Sequence, residues 1–268
     1  MRKWARTSAF GMVVLALATP GLVVAQETEL STVASDGVTV FGETYFGHLD
    51  ATAPLILLFH QADSNGRGEY GDLAPVLNEA GFRAVAWDLR MGGEVHGSVN
   101  RTLESLPPGT PNRFCDAYPD MVAALEYVLA TELADEVIVW GSSFSSALIF
   151  HLAADHASAV STVIGFSPPL GGPLEECRVR RALPRVAAPM AVFRPRSEMG
   201  YEDIEEQRRL LEDAGADFYV IEDGVHAASM LLDERTGHDM SETRALVTDW
   251  LWGAIERGSG SDGGEDEL

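Results

Sequence analysis

The chain has 268 residues, 46% of them hydrophobic and 22% charged, with 19 Lys and Arg against 41 Asp and Glu and a formal net charge of −22. That apolar content belongs to a globular protein and excludes an acidic disordered chain, a collagen or a coiled coil. The acidic balance excludes sequence-independent binding to nucleic acid, which needs a basic footprint, and argues against docking on anionic lipid heads.

The first 25 residues read as a secretory signal. Arg2, Lys3 and Arg6 form a basic start, residues 10–18 are apolar, Pro20 and Gly21 break the run, and small residues precede a cleavage point after Ala25. The apolar core is shorter than the ~20 residues a membrane span requires. No later segment reaches that length, so the mature chain is expected to carry no membrane span and to be secreted or periplasmic. Cleavage would remove three basic residues and no acid, taking the net charge to −25, and with Lys3 would go the only lysine. At the other end, residues 258–268 (GSGSDGGEDEL) form a Gly-rich acidic tail expected to be disordered. Its EDEL ending is close to an ER-retention signal but starts with Glu in place of Lys or His. Residues 26–257 carry no linker-like break and no internal repeat, and read as one domain.

Within that domain, residues 37–46 show the partial alternation of an antiparallel edge pair. Short apolar runs follow at 55–59 (LILLF), 84–87 (AVAW), 137–140 (VIVW), 160–166 (VSTVIGF), 190–193 (MAVF) and 218–221 (FYVI). Continuous apolar runs of this length predict strands covered on both faces. Helix-period stretches separate them at 69–80, 118–131, 145–154 and 201–214, and a long one runs over 241–257 with Ser241 as its candidate cap. The alternation predicts an α/β fold, a three-layer sandwich of a mostly parallel twisted sheet with helices on both faces. In such sheets the chemistry sits beyond the carboxyl ends of the strands.

After VIVW comes Gly141-Ser142-Ser143-Phe144-Ser145. A nucleophile elbow is a sharp strand-to-helix turn that needs small residues two before and two after the nucleophile. Ser143 meets this with Gly141 and Ser145, whereas Ser142 would have Trp140 at the earlier position. Ser145 is sterically acceptable but stands two residues further from the strand. A serine needs a base held against it. His226 follows the last strand run in a Gly-containing loop and is the candidate base, ahead of His238, which lies close to the final helix. His151 and His156 ride the helix after Ser143 and read as structural. Glu198, just past MAVF, is the candidate acid; Glu202 and Asp203 fall at a helix start, where the dipole accounts for acids. For the oxyanion, one donor is the backbone N–H of Phe144, and the second belongs to the loop after LILLF, which reads His60-Gln61-Ala62-Asp63-Ser64.

This order of strands, His-containing loop, elbow, acid and histidine resembles the α/β-hydrolase family over nearly all of residues 37–257. Within it the resemblance is to small, capless esterases similar to dienelactone hydrolase, which themselves carry a Cys nucleophile where Ser143 stands here. The resemblance implies a serine hydrolase acting on a small-molecule ester through an acyl-enzyme, with Ser143, His226 and Glu198 as triad and no metal or organic cofactor, and the N-terminal signal pattern makes it an exported one. The family's His-Gly-x loop appears as His60-Gln61-Ala62, which puts the second oxyanion donor on the Ala62 N–H, with the Gln61 amide as a further contributor. His60 reads as a loop-fixing residue at the substrate site. The segment 167–189 has room for little beyond one helix and implies an open, shallow site without a large lid. Met91, His96, Asn100 and Arg101, from the long irregular stretch 90–115, are candidate substrate-binding residues. Asn100-Arg101-Thr102 also matches a glycosylation sequon.

Cys115 and Cys177, the only cysteines, fit no zinc-site spacing and no CxxC arrangement; in an exported protein they are either paired or two buried thiols. Export and their shared location over the catalytic edge make a disulfide between them the working hypothesis. An amidase, thioesterase or peptidase would use the same machinery, and a catalytically silent α/β-hydrolase fold would be a binding protein. The sequence carries no signal for an oligomeric state.

Overall fold

The structure is a computed structural model that describes residues 28–259. The signal-like segment and all but the first two residues of the acidic tail lie outside the described residues. Eight strands form one sheet: β1 (Glu29–Val33), β2 (Thr39–Tyr45), β3 (Leu55–Phe59), β4 (Arg83–Trp87), β5 (Val137–Ser142), β6 (Val160–Phe166), β7 (Met190–Pro195) and β8 (Ala216–Ile221). The helices are α1 (Gly66–Tyr70), α2 (Ala74–Glu79), α3 (Arg101–Ser105), α4 (Tyr118–Ala130), α5 (Phe144–Asp155), α6 (Val179–Ala182), α7 (Ile204–Asp213), α8 (Asp233–Thr236) and α9 (Ser241–Ser259). The strand order is β1-β2-β4-β3-β5-β6-β7-β8, parallel throughout except where β2 pairs with β1 and β4. No helix among the described residues is long and apolar enough to cross a membrane.

The central strands β3 to β7 are apolar with little alternation because both their faces are covered. Leu55, Leu57 and Phe59 of β3 join Val137 and Val139 of β5 in a core shared with α4 and α5. Ile56 and Leu58, together with Ile138 and Trp140, enter the opposite core with Tyr70, Leu77, Val247 and Leu251, on the side of α1, α2 and α9. Successive strand side chains point to opposite faces, so each layer takes every second residue. Two sequence expectations change. The edge pair is β1 with β2, and β1 was missed because its ELSTV alternates between exposed and half-buried positions with little apolar content. The helix expected over 69–80 is two short helices. Asn65 caps the first, its Oδ1 accepting the Gly68 N–H, and Pro75 at the start of the second denies a backbone donor to any continuous helix.

The order of the sheet creates the crevice. From β3 the chain turns outward to β4, whereas β5 lies on the other side of β3, and the helices that follow β3 and β5 pack on opposite faces. The loops leaving the two neighbouring strands therefore diverge at their carboxyl ends, the place where such sheets bind ligands. Arg90, fully buried, locks this end from outside: its guanidinium pairs with Asp120 of α4 and Asp36 of the β1–β2 turn.

Cys115 and Cys177 are joined by a disulfide spanning 62 residues. It ties the 3-10 turn Phe114–Ala117 to the 3-10 turn Gly172–Cys177, and the Cys177 carbonyl accepts from His151 Nε2 at 2.6 Å. The segment 167–189 thus consists of short pieces, including 3-10 turns at Gly172–Cys177 and Leu183–Arg185 around α6, and builds no cap domain. Closing a loop of this length restricts the unfolded chain. Replacing both cysteines by serine should lower the unfolding free energy by about 2–4 kcal/mol in urea. An unchanged midpoint would show that the cross-link does not stabilise the fold.

Candidate active site

β5 ends at Ser142 and α5 begins at Phe144, leaving Ser143 alone to reverse the chain at φ 55°, ψ −120°. The turn demands close backbone approach: a Cβ on Gly141 would lie 2.4 Å from Ser146 Cα and 2.6 Å from its nitrogen. Ser145, fully buried, replaces the small residue usual on the other side and uses its hydroxyl. It accepts the Ser142 N–H at 2.9 Å and donates to the Phe59 carbonyl at 2.7 Å, tying the turn to the end of β3. Ser143 N–H donates to Phe166 O at 2.8 Å, so the turn is also tied to β6.

His226, in the loop after β8, places Nε2 2.9 Å from Ser143 Oγ and Nδ1 2.5 Å from Glu198 Oε1. Its side chain is 53% exposed and that of Glu198 only 5%, so the imidazole faces solvent with the carboxylate behind it. Glu198 is held from every side. Its Oε1 accepts from Ser167 Oγ at 3.2 Å and its Oε2 from Arg194 Nη1 at 2.8 Å. Arg194 is itself buried and donates through Nη2 to Pro168 O. Burial alone would raise the Glu198 carboxyl, but the bond and charge of His226, the Arg194 guanidinium and the Ser167 hydroxyl outweigh it and hold it below the usual value of 4.5. Ser167 also accepts the Ala227 N–H at 3.2 Å, so one hydroxyl joins the loops that carry Glu198 and His226. Neither Ser167 nor Arg194 stood out in the sequence. Ser167 directly follows a strand run, and that placement was the available signal. Arg194 sits inside β7, where a charge in a buried strand was the clue.

The loop after β3 is built around one peptide plane. His60 is fully buried, its Nε2 accepting Leu89 N–H at 2.8 Å and its Nδ1 meeting Gln61 O at 2.7 Å. In a trans peptide the C=O and the following N–H point in opposite directions. Holding Gln61 O inward against His60 therefore turns the Ala62 N–H outward. At the start of α5 the Phe144 N–H has no intrahelical acceptor.

Several expected site residues have other work. His60 fixes the loop from within and cannot reach a substrate. The Gln61 N–H is taken by Glu69 Oε2 at 2.8 Å, and its side-chain amide meets His96 at 3.4 Å, so it offers no free backbone donor. Asn100 is buried, with Nδ2 on the carbonyls of Ser64 and Leu89 and Oδ1 capping α3; its amide is consumed structurally and inaccessible as a glycosylation acceptor. Arg101 pairs with Asp88, Glu29 and Glu43. Met91 packs half-buried on the apolar core, and His96 touches Gln61 and Ser229 at the outer side of the loop. His238 lies in an exposed turn.

A cavity of about 570 Å³ opens beside Ser143 and His226. Pro169, Gly171 and Gly172 line it from the segment after β6, and Tyr201, Glu202, Asp203 and Ile204 from the start of α7. Glu202 and Asp203 thus face the cavity rim as well as the helix start. Among the described residues no three His, Cys, Asp or Glu side chains gather as a metal site would need.

A family model described as the alpha/beta hydrolase fold matches residues 54–253. Among solved structures, an esterase from Pyrococcus furiosus superposes with a TM-score of 0.63 at 14% identity, over 90% of this chain and 96% of that one. A dienelactone hydrolase from Anabaena variabilis gives 0.60 at 18% identity, over 85% and 98%. A thioesterase domain from the curacin biosynthetic pathway gives 0.59 at 13% identity, over 84% and 99%. At these identities the likeness speaks for the fold. No curated protein matches the chain in sequence.

The Arg194–Glu198 pair makes a pH-dependent prediction. A carboxyl depressed in the folded state contributes stability that is present above its ordinary value of 4.5 and lost as pH falls through the folded value. Arg194→Met removes one cause of that depression and leaves a buried carboxylate less compensated. The variant should therefore be destabilised most at neutral pH, and the difference from wild type should shrink as pH drops below about 4.5. Urea unfolding at pH 7 and pH 4 reads both; a difference independent of pH would contradict the coupling.

Proposed function

The chain belongs to the α/β-hydrolase fold family, and on that footing we propose that it is an exported serine hydrolase cleaving small-molecule carboxylic esters. The observation that carries the reading is the unbroken chain from Ser143 Oγ through the His226 ring to Glu198, at 2.9 and 2.5 Å. Glu198 holds the Nδ1 proton, which leaves Nε2 as the acceptor facing the serine hydroxyl. Ser143 attacks the carbonyl carbon while its proton passes to Nε2. The Phe144 and Ala62 N–H groups receive the developing oxyanion. His226 then returns the proton to the departing alkoxide, leaving an acyl group on Ser143. A water deprotonated by the same nitrogen releases the acid and restores the hydroxyl.

The cavity beside Ser143 would seat one side of the ester, and the exposed edge of His226 leaves the other side towards water. Among the similar structures an esterase and a dienelactone hydrolase support an ester substrate, and a thioesterase domain stands beside them as a related acyl hydrolase. The N-terminal signal pattern supports export, and a cross-linked pair of cysteines suits an oxidising compartment.

A fluorophosphonate probe should label the protein at Ser143, and Ser143→Ala should abolish labelling and lower ester turnover by about 10⁴-fold or more. Turnover of p-nitrophenyl esters of increasing acyl length measures what the cavity accepts. Labelling that survives the substitution would move the nucleophile elsewhere, and a wild-type protein that neither labels nor turns over would leave a binding role for the fold.

A further inference from the structure

One fully buried carboxylate beside the site takes no part in the proposed reaction. Glu69, at the end of α1, is 1% exposed. Its Oε2 accepts the Gln61 N–H at 2.8 Å, and its Oε1 accepts the Ser142 hydroxyl. The same Ser142 oxygen accepts the Ala228 N–H at 3.1 Å. Gln61 neighbours the second oxyanion donor, Ser142 precedes the nucleophile and Ala228 stands two residues beyond the base. One side chain therefore joins two of the loops that carry the reacting groups directly, and the third through the Ser142 hydroxyl. These loops follow β3, β5 and β8. From the outer side, Arg235 of α8 donates to Gly68 O at 2.8 Å and Ser229 Oγ at 3.2 Å, pinning α1 against the base loop. Burial raises the Glu69 carboxyl above its usual value, which marks the position as one where an acid is retained against its solvation cost.

We propose that Glu69 is a positioning residue that sets the Ala62 N–H, Ser143 and His226 in register by bonding Gln61 and Ser142 at once. The proposal rests on the Ser143 reading of the site. Two contacts fix Gln61 on its two sides: His60 holds the carbonyl of the peptide plane that presents the Ala62 N–H, and Glu69 holds the Gln61 N–H of the preceding plane, so the torsions between the two planes are restrained. Without Glu69 the donor remains but its direction is no longer enforced. The effect should be smaller than the roughly 10²–10³-fold cost of deleting an oxyanion donor outright. It should fall on the chemical step, since Glu69 lies outside the cavity lining.

Reach, not charge, is the property at stake. Glutamine keeps the reach: its oxygen can accept Gln61 N–H while its NH₂ donates to Ser142 Oγ, which turns its own hydrogen elsewhere. Aspartate keeps the charge but is one methylene short and cannot bridge both groups. The experiment compares kcat and KM for a p-nitrophenyl ester, and the rate of fluorophosphonate labelling, in wild type and in Glu69→Ala, Glu69→Asp and Glu69→Gln. Circular dichroism and thermal unfolding establish that each variant is folded. We expect kcat and labelling rate to fall about 10–100-fold in the Ala and Asp variants with KM within about threefold, and Gln to rescue both to within about fivefold of wild type. If the Ala variant does not fold, the Asp–Gln pair decides. Aspartate at wild-type rates, or glutamine falling with alanine, overturns the proposal. An unreactive wild type is a separate failure, which removes the Ser143 chemistry itself and this role with it.

Discussion

The backbone reversal at Ser143 is the constraint on which the rest of the molecule is arranged. A non-glycine residue at φ 55°, ψ −120° is held in a sparsely populated conformation, and such conformations cost of order 1–3 kcal/mol and persist only where the surroundings over-determine them. The surroundings do so here. Gly141 allows the strand and helix to touch, Ser145 ties the turn to β3, and the Ser143 N–H ties it to β6. The result is a hydroxyl at the carboxyl edge of the sheet, beside the imidazole that the loop after β8 supplies.

Electrostatics follow from this placement. The imidazole must face the hydroxyl and remain reachable, so the carboxylate that orients it lies behind, almost without water. A buried carboxylate needs compensation, and this one receives it from Arg194, Ser167 and the ring itself. Arg194 is compensated in turn by Glu198 and the Pro168 carbonyl. The carboxylate behind the ring is therefore less a single residue than a small fixed assembly drawn from the ends of β6 and β7. The same reasoning accounts for Arg90 at the far side of the crevice, buried between Asp36 and Asp120.

The layered architecture was legible because burial on both faces leaves uninterrupted apolar runs, as in LILLF and VIVW, and because helices such as α4 and α5 are long enough to show their period. The elbow was legible from steric need at Gly141 and Ser145. What escaped has a common cause: it depends on neighbours remote in sequence. β1 is an edge strand whose partner, not its composition, makes it a strand. Asn100 and Met91 lie in a loop over the correct edge, yet whether a loop residue faces a cavity or caps a helix is decided by contacts that no spacing encodes. Ser167, Arg194 and Glu69 belong to the same class. Each has at least one partner 26 to 73 positions away, and none sits in a motif that announces it.

The half-exposed imidazole edge also bears on size. An enclosed site weighs the whole of what it accepts; this one can weigh only the portion that enters the cavity after β6. Whatever hangs on the solvent side of the scissile bond meets bulk water, so a tether there is no obstacle. The cavity volume therefore bounds only the part of a ligand that enters beside Ser143, and not the part left on the solvent side of His226.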